Sequence, residues 1–185
     1  MTCGGVLLTG GASRRMGTDK ASIVWEGETL AARAARVLAS VCDPVVEVGS
    51  GAGNLRCVRE DPPGSGPLAA LVAGARALGT DGPVVLLGCD LPFVRAPVLQ
   101  LLAEWPADRT VIPVVLGRLQ FVCARYGGDA LERASAALHA GQYALKTLAA
   151  ADHDEIGEDV WGAVASAATF ADVDSPGDLR ELGLS

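Results

Sequence analysis

The feature that most constrains the fold is the alternation of short apolar runs with amphipathic helical patterns along the 185 residues. Residues 82–92, GPVVLLGCDLP, give the strongest strand pattern, because a continuous apolar run ends directly at Asp90. Helical spacing is present at 29–40, 66–79 and 96–105. Alternation of this kind is typical of β-α-β units, so the sequence predicts an α/β fold with an open, mostly parallel sheet.

The remaining apolar runs predict further elements of the same kind. Strands are expected at 5–9, 43–50, 55–61, 109–115 and 121–126, and helices at 127–141 and 142–151. Residues 150–168 are acidic and then small and apolar, which leaves open whether they form a flexible flap or a strand partner.

Ligands of open parallel sheets bind beyond the carboxyl ends of the strands. Three segments of the chain place polar residues directly after an apolar run, namely Gly10–Lys20, Glu60–Leu68 and Cys89–Pro92. The sequence therefore indicates these three segments as candidate places for a ligand to bind.

Composition excludes several classes of protein. The net charge of −7 argues against nucleic acid as the main partner. Five cysteines without a C-x-x-C pair, and only two histidines, argue against a disulfide framework and against a zinc site. The N-terminal apolar run is too short for a membrane span and lacks the basic residues of a signal peptide, so we expect a cytoplasmic protein.

The segment from residue 7 to residue 20, LLTGGASRRMGTDK, gathers positive charge beside two glycines in an acidic chain. Gly10 and Gly11 allow the main chain to turn sharply and to present successive N–H groups to an anion. Arg14, Arg15 and Lys20 add the cations that hold a polyphosphate. Adjacent glycines alone are as typical of an ordinary turn, but the following Arg-Met-Gly-x-Asp-Lys run favours an anion site.

Two common phosphate-binding motifs do not fit this segment. Walker A requires G-x-x-x-x-G-K-[ST], whereas Gly17 is followed by Thr18, Asp19 and Lys20. The dinucleotide fingerprint G-x-G-x-x-G is also absent, which disfavours a Rossmann oxidoreductase.

The same segment resembles the pattern L-x-G-G-x-S-x-R-M-G-x-D-K of the nucleotidyltransferases related to molybdenum cofactor guanylyltransferase. Four further segments resemble that family in the same order along the chain, from residue 4 to residue 179: EDPPGSGPLAAL, GCDLP, GRLQFVCARY and DVDSPGDL. The resemblance implies a Rossmann-like three-layer α/β/α nucleotidyltransferase fold. It implies one domain over 1–185, with a nucleotide-binding half at about 1–105 and an acceptor-binding half at about 106–185.

The activity that the resemblance implies is the Mg²⁺-dependent transfer of GMP from GTP to the terminal phosphate of molybdopterin. Pyrophosphate is released, and the product is a guanine dinucleotide form of the molybdenum cofactor. GTP and molybdopterin are the expected partners, together with transient contacts to proteins of the cofactor pathway. Neither nucleic acid nor a membrane is expected to bind.

The resemblance also assigns roles to individual residues. Lys20, Arg15 and Asp90 are the expected catalytic residues, and Asp90 and Asp174 the expected Mg²⁺ ligands. Arg118 and Gln120 are expected on the acceptor side, with Arg125 and Lys146 as weaker candidates for the acceptor phosphate. The nucleotide path is expected to be lined by Leu8, Thr9, Gly10, Gly11, Ser13, Arg15, Lys20, Asp61, Gly66, Pro67, Leu68 and Asp90.

Some of these residue types have ordinary structural uses as well. Asp90 and Asp174 each precede a predicted helix and are suited to an N-cap. Asp61, which precedes two prolines, is also suited to a turn, and Lys146 to a solvated surface. These alternatives remain open at the level of the sequence.

The chain departs from the family pattern at a few positions. Thr9 replaces the usual alanine and brings a β-branched side chain close to the expected nucleotide, and Phe121 replaces a proline. Asp174 stands where some relatives carry asparagine. Three other functions stay open: cytidylyl transfer to the same cofactor, guanylyl transfer to another phosphorylated acceptor, and GTP binding without catalysis. Gly10 favours guanine, since the cytidylyl relatives typically show L-A-A-G.

Overall fold

A mixed β-sheet organises the chain, of which the computed structural model describes residues 3–10, 20–79, 82–173 and 178. The strands in this part are β1 (Gly4–Leu8), β2 (Val24–Trp25), β3 (Glu28–Thr29), β4 (Val45–Val48), β5 (Cys57–Val58), β6 (Val84–Gly88), β7 (Val111–Val115), β8 (Arg118–Leu119), β9 (Cys123–Tyr126) and β10 (Asp154–Ile156). The α-helices are α1 (Leu30–Ala39), α2 (Pro67–Leu78), α3 (Ala96–Ala103), α4 (Gly128–His139) and α5 (Glu158–Trp161). Short 3₁₀ helices cover Lys20–Ser22, Leu145–Ala150 and Ala167–Phe170.

The strand order of the main sheet is β10-β7-β9-β6-β1-β4-β5, with β8 paired to β7. Strands β6, β1, β4 and β5 are parallel, and β10 is parallel to β7. Strand β9 is antiparallel to both β6 and β7, so β7 and β10 run in the same direction as β6. The predicted mostly parallel sheet is therefore confirmed.

Helices cover both faces of this sheet, which gives the predicted three layers. Alternate residues of β1 point to opposite faces, so Leu7 joins one core and Val6 and Leu8 join the other. Helices α1 and α3 pack on the Leu7 side, and α2 and α4 pack on the opposite side. The continuous apolar runs of the central strands are explained by this burial on both faces.

Some predicted elements differ from those observed. Residues 142–151, predicted as an α-helix, form a 3₁₀ helix over Leu145–Ala150 instead. Its two buried residues, Leu145 and Leu148, are three apart, a spacing that suits 3₁₀ geometry. The segment 150–168 contains β10, so its role as a strand partner is the one that the structure shows. The hairpin β2–β3 was missed, because two-residue strands carry too little pattern to be recognised.

No helix in the described part of the chain has the length and apolarity needed to cross a bilayer.

Strand β10 is an outer strand of the sheet, and polar contacts join it to the segment before β7. The Arg109 side chain, just before β7, donates hydrogen bonds to Asp152 at 2.7 Å and to Asp154 at 2.6 Å. The indole N–H of Trp105 also donates to Asp154, at 2.8 Å. Both aspartates therefore have pKa values below their usual range, chiefly because of the hydrogen bonds from Arg109.

We expect Asp154→Asn to lower the melting temperature at pH 7 by about 2–5 °C, since it weakens a partly exposed charged contact at the sheet edge. A carboxylate with a lowered folded-state pKa contributes stability above its unfolded-state pKa and loses it as the pH falls through the folded-state value. The difference between variant and wild type should therefore shrink as the pH falls below about 4. Thermal unfolding between pH 3 and pH 8 measures it, and Glu132→Gln on the exposed face of α4 is the control. A difference in melting temperature that is constant with pH would contradict a lowered pKa of Asp154 in the folded protein.

Candidate active site

Four loops meet beyond the carboxyl ends of four neighbouring parallel strands, at the end of the sheet that we name the active edge. In spatial order they follow β6, β1, β4 and β5, and they begin at Cys89, Thr9, Gly49 and Arg59. The three segments that the sequence indicated as candidate binding places are the loops after β1, β5 and β6. The topology thus brings their described parts to the same edge, as expected for an open parallel sheet.

Lys20 and Asp90 form the charged centre of this edge. The Lys20 Nζ lies 3.9 Å from the Asp90 Oδ2, and the two side chains are 19% and 29% exposed. A Cβ atom at Gly88 would lie only 2.5 Å from Asp90 Oδ1, so the carboxylate folds back over the end of β6. The loop itself is tied to β1, because the Cys89 amide donates a 3.0 Å hydrogen bond to the Leu8 carbonyl.

The C-terminal part of the chain also reaches the Asp90 loop. The amide of Val173 donates a 3.0 Å hydrogen bond to the carbonyl of Asp90. Asp174, the second predicted metal ligand, is the next residue along the chain but lies outside the described residues. Gly11, Ser13 and Arg15, together with Arg14 and Asp19, lie outside them as well.

An arginine that sequence reasoning missed joins the Lys20 segment to the Asp90 loop. Arg33 of α1 donates a 2.8 Å hydrogen bond from Nε to the carbonyl of Pro92, in the loop after β6. Its guanidinium also stacks 4.4 Å above the ring of Trp25, in the hairpin that follows Lys20. Trp25 in turn meets Phe93 edge to face at 5.1 Å. One side chain therefore holds both segments in place.

The loop after β1 approaches the loop after β4 very closely. Gly49 has φ +140°, and a Cβ on it would lie 2.1 Å from the amide nitrogen of Gly10, so only glycine fits here. The hydroxyl of Thr9 donates to the carboxylate of Glu47 and accepts a 3.0 Å hydrogen bond from the Ser50 amide. The hydroxyl of Thr9 therefore points into the protein, and the predicted contact of this residue with the nucleotide stays a prediction.

The residues after β5 that were predicted to bind the nucleotide lie in the loop before α2 and in its first turn. Gly66 precedes this helix with φ +94°, a conformation that favours glycine, and Pro67 occupies its first turn. Asp61 is exposed in the loop before them. The side chains of Leu68 and Leu8 are buried in the core, so any nucleotide contact that they make is through the main chain. The predicted contact of these two residues with the nucleotide stays a prediction.

Tyr143 is a second residue that sequence reasoning did not select. Its carbonyl accepts a 3.3 Å hydrogen bond from the amide of Leu68, and its side chain is 48% exposed beside Gly66. The segment that follows α4 therefore reaches the start of α2. Nothing in the local sequence distinguishes this tyrosine from a surface residue.

The predicted acceptor residues lie on the β7–β8 hairpin. The hairpin turns at Leu116 and Gly117, beyond the carboxyl end of β7, and Arg118 is exposed on β8. The Gln120 side chain donates a 3.1 Å hydrogen bond to the carbonyl of Arg118. Because β7 runs in the same direction as β6, the hairpin lies at the same edge of the sheet as the loop of Asp90.

The two weaker acceptor candidates, Arg125 and Lys146, have different surroundings. Arg125 is 3% exposed, and its two terminal nitrogens donate to the carbonyls of Trp105 and Ala107. Its predicted contact with the acceptor phosphate is therefore wrong, and its role is structural. Lys146 is exposed, as expected for a solvated lysine.

The donor set at this edge suits one kind of metal. No group of three or more histidine, cysteine, aspartate or glutamate side chains within the described ranges could hold a metal by itself. Asp90 offers one partly exposed carboxylate. Mg²⁺ is commonly held by one or two carboxylates together with substrate phosphates and water, so this residue fits Mg²⁺ better than a metal that needs a closed protein cage.

Comparison with known proteins gives consistent results. The family model of the MobA-like NTP transferase domain matches residues 5–156. A Chloroflexus aggregans protein named probable molybdenum cofactor guanylyltransferase is 30% identical, over 97% of this chain and 93% of its own. A Mycobacterium tuberculosis protein of the same name is 33% identical, over 78% of this chain and 77% of its own.

Solved structures share the fold. The molybdopterin-guanine dinucleotide biosynthesis protein A of Archaeoglobus fulgidus superimposes with a TM-score of 0.81 at 20% identity, covering 96% of this chain and 95% of that one. A Mycobacterium tuberculosis protein in complex with manganese gives 0.70 at 16% identity, covering 98% of each chain. The 2-C-methyl-D-erythritol 4-phosphate cytidylyltransferase of Thermus thermophilus gives 0.68 at 17% identity, covering 97% and 94%. With its sheet order, its loops and the extent of the family match, the chain belongs to the MobA-like NTP transferase domain family and is a nucleotidyltransferase.

Proposed function

We propose that the chain transfers GMP from GTP to the terminal phosphate of molybdopterin and releases pyrophosphate. The observation that carries the proposal is the pairing of Lys20 with Asp90, whose side chains lie 3.9 Å apart. Lys20 begins the 3₁₀ helix in the connection after β1, and Asp90 lies two residues after the end of the neighbouring strand β6. A cation and a carboxylate at one strand edge supply the two kinds of group that nucleotidyl transfer needs. Membership of the family, and the names of the relatives at 30% and 33% identity, support this reaction.

Lys20 has the role of binding the phosphates that leave as pyrophosphate. Its ammonium group is partly exposed at the site, where it would neutralise the negative charge that develops on the leaving group. Arg15, in the loop between Gly10 and Lys20, is proposed to share this role through bidentate contacts. The main chain after β1 and at the start of α2 would hold the nucleoside, through the predicted residues Gly10 and Gly66.

Asp90 has the role of holding a divalent cation, which we propose to be Mg²⁺, with Asp174 as the proposed second ligand. When bound, the metal would stabilise charge on the reacting phosphate. The close packing of the Asp90 carboxylate over Gly88 and the hydrogen bond from Cys89 to Leu8 keep this ligand in a defined position. A fixed carboxylate loses little freedom when a metal binds.

The acceptor is proposed to enter from the β7–β8 hairpin, where Arg118 and Gln120 lie at the same sheet edge. The chain from about residue 106 onward would then form the acceptor half, and residues before it the nucleotide half. We propose that the reaction takes place in the cytoplasm, where GTP is available. Three competing functions give different results in the same assay. Cytidylyl transfer predicts pyrophosphate release from CTP, guanylyl transfer to another phosphorylated acceptor predicts no release that depends on molybdopterin, and GTP binding without catalysis predicts no release.

We expect Asp90→Asn to reduce acceptor-dependent pyrophosphate release from GTP roughly 100-fold or more, because the amide cannot supply the charge that the metal needs. Pyrophosphate is measured with each of the four nucleoside triphosphates, with Mg²⁺, and with or without molybdopterin. Asp129→Asn, an exposed aspartate on α4, is the matched control and should retain wild-type release. Release from CTP alone would establish the cytidylyl function instead, and GTP binding without release under any condition would contradict catalysis.

We expect Arg33→Gln to lower the turnover number about tenfold, because the variant loses both the hydrogen bond to Pro92 and the stacking on Trp25 that hold the Asp90 loop and the Lys20 segment. Arg36→Gln, one helical turn away on α1, is the control, since Arg36 pairs only with Glu28 among the contacts described for it. Steady-state kinetics of both variants measure the effect. Equal turnover in the two variants would show that Arg33 does not position the site.

A further inference from the structure

Glu47 is a carboxylate in a place where the fold would otherwise put an apolar side chain. It lies in β4 between Val46 and Val48, and its exposed fraction is 0%. Burial of a charged or polar group costs free energy unless hydrogen bonds replace its water. Neither the phosphate site nor the proposed acceptor site uses this side chain, so its presence needs a separate explanation.

Both carboxylate oxygens of Glu47 accept hydrogen bonds from the loops at the active edge of the sheet. The hydroxyl of Thr9 donates to Oε1, and the amide of Gly53 donates to Oε2 at 2.9 Å. The same hydroxyl accepts from the amide of Ser50 at 3.0 Å. The carboxylate therefore binds the loop after β4 at two residues. Gly53 is bound directly, and Ser50 is bound through the hydroxyl of Thr9.

These contacts surround the point where the two loops approach most closely. Thr9 is the first residue after β1, and Gly10 lies against Gly49 with no space for a side chain between them. Gly53 is also closely packed, since a Cβ on it would lie 2.9 Å from Oε2 of Glu47. The hydrogen bonds of Thr9 and Glu47 and the main-chain contact between Gly10 and Gly49 therefore restrict the positions that the turn after β1 can take.

We propose that Glu47 is a positioning residue, which acts through Thr9 to hold the nucleotide-binding turn after β1 against the loop after β4. The inference rests on the proposed function in one respect, namely that this turn binds GTP. It also explains why the chain carries Thr9 where the family pattern has alanine. Alanine has no hydroxyl, whereas a hydroxyl at this position satisfies both the buried carboxylate and the Ser50 amide.

The first test compares two identical substitutions of buried threonines. Thr9→Val removes the hydroxyl next to Glu47, while Thr110→Val removes a hydroxyl that accepts a 3.1 Å hydrogen bond from the Gly127 amide at the opposite edge of the sheet. Both variants should melt at a lower temperature than the wild type. Only Thr9→Val should weaken GTP binding, by about tenfold in calorimetry, since only it disturbs the turn.

The second test asks whether Thr9 and Glu47 act through each other. Thr9→Ser keeps a hydroxyl and should restore GTP affinity to within about threefold of the wild type. Glu47→Gln keeps the shape of the side chain but changes one acceptor into a donor, so it should weaken binding as well. The double variant, Thr9→Val with Glu47→Gln, should lose less affinity than the product of the two single losses. If Thr9→Val does not fold, the GTP affinity of Glu47→Gln is compared with that of Thr110→Val instead.

Amide hydrogen exchange of the ligand-free protein separates this inference from the proposed function. The Ser50 and Gly53 amides should be protected in the wild type and should exchange faster in Thr9→Val but not in Thr110→Val. GTP affinities of Thr9→Val and Thr110→Val that agree within about twofold would overturn the inference. If the wild type itself binds no GTP, the proposed function fails, and the exchange rates alone decide whether Glu47 holds the two loops.

Discussion

The parallel pairing of β1 with β4 and β6 is the interaction on which the rest of the structure depends. In the registers of these two pairs, Leu8 of β1 stands opposite Val48 of β4 and Gly88 of β6. The three strands therefore end at the same level, and the loops that follow them begin side by side. A shift of two residues in either register would move Asp90 or Gly49 by about 6–7 Å along the strand direction. The charged centre and the close loop contact both require the register that the buried apolar faces select.

Much of this arrangement could be predicted from the sequence, because apolar periodicity is a local signal. The central strands and the four longer helices were predicted close to their observed positions, since each is bounded by a glycine, a proline or a polar loop. The segment after β6 was also recognised, because Asp90 directly follows the most apolar run of the chain. The meeting of the loops then follows from the topology, since parallel strands joined by helical crossovers have their carboxyl ends at the same end of the sheet.

The parts that could not be predicted depend on contacts between distant residues. Arg33 is an ordinary solvent-facing arginine in the pattern of α1, and its partner Pro92 lies 59 residues away. Glu47 offered a weak signal, a lone charge within the run VVEV, but the alternation of a half-buried strand explains such a residue equally well. Only the assembled sheet shows that this face of β4 is covered. Likewise, the strand β9 was predicted, but the alternating β-α pattern did not indicate that it runs antiparallel between β6 and β7, where Arg125 is buried.

The charged groups at the active edge fall into two environments, and the difference has a physical reason. Lys20 and Asp90 are partly exposed, where each can exchange water for a phosphate or a metal. Glu47 is fully buried and hydrogen-bonded to two loops, so it is not accessible to water or to a ligand. Groups that bind a ligand must stay accessible, whereas groups that orient a binding loop are most effective when their surroundings do not rearrange. Under the proposed function the turn after β1 contacts the nucleotide, and the buried carboxylate of Glu47 beneath it would hold that turn in one orientation.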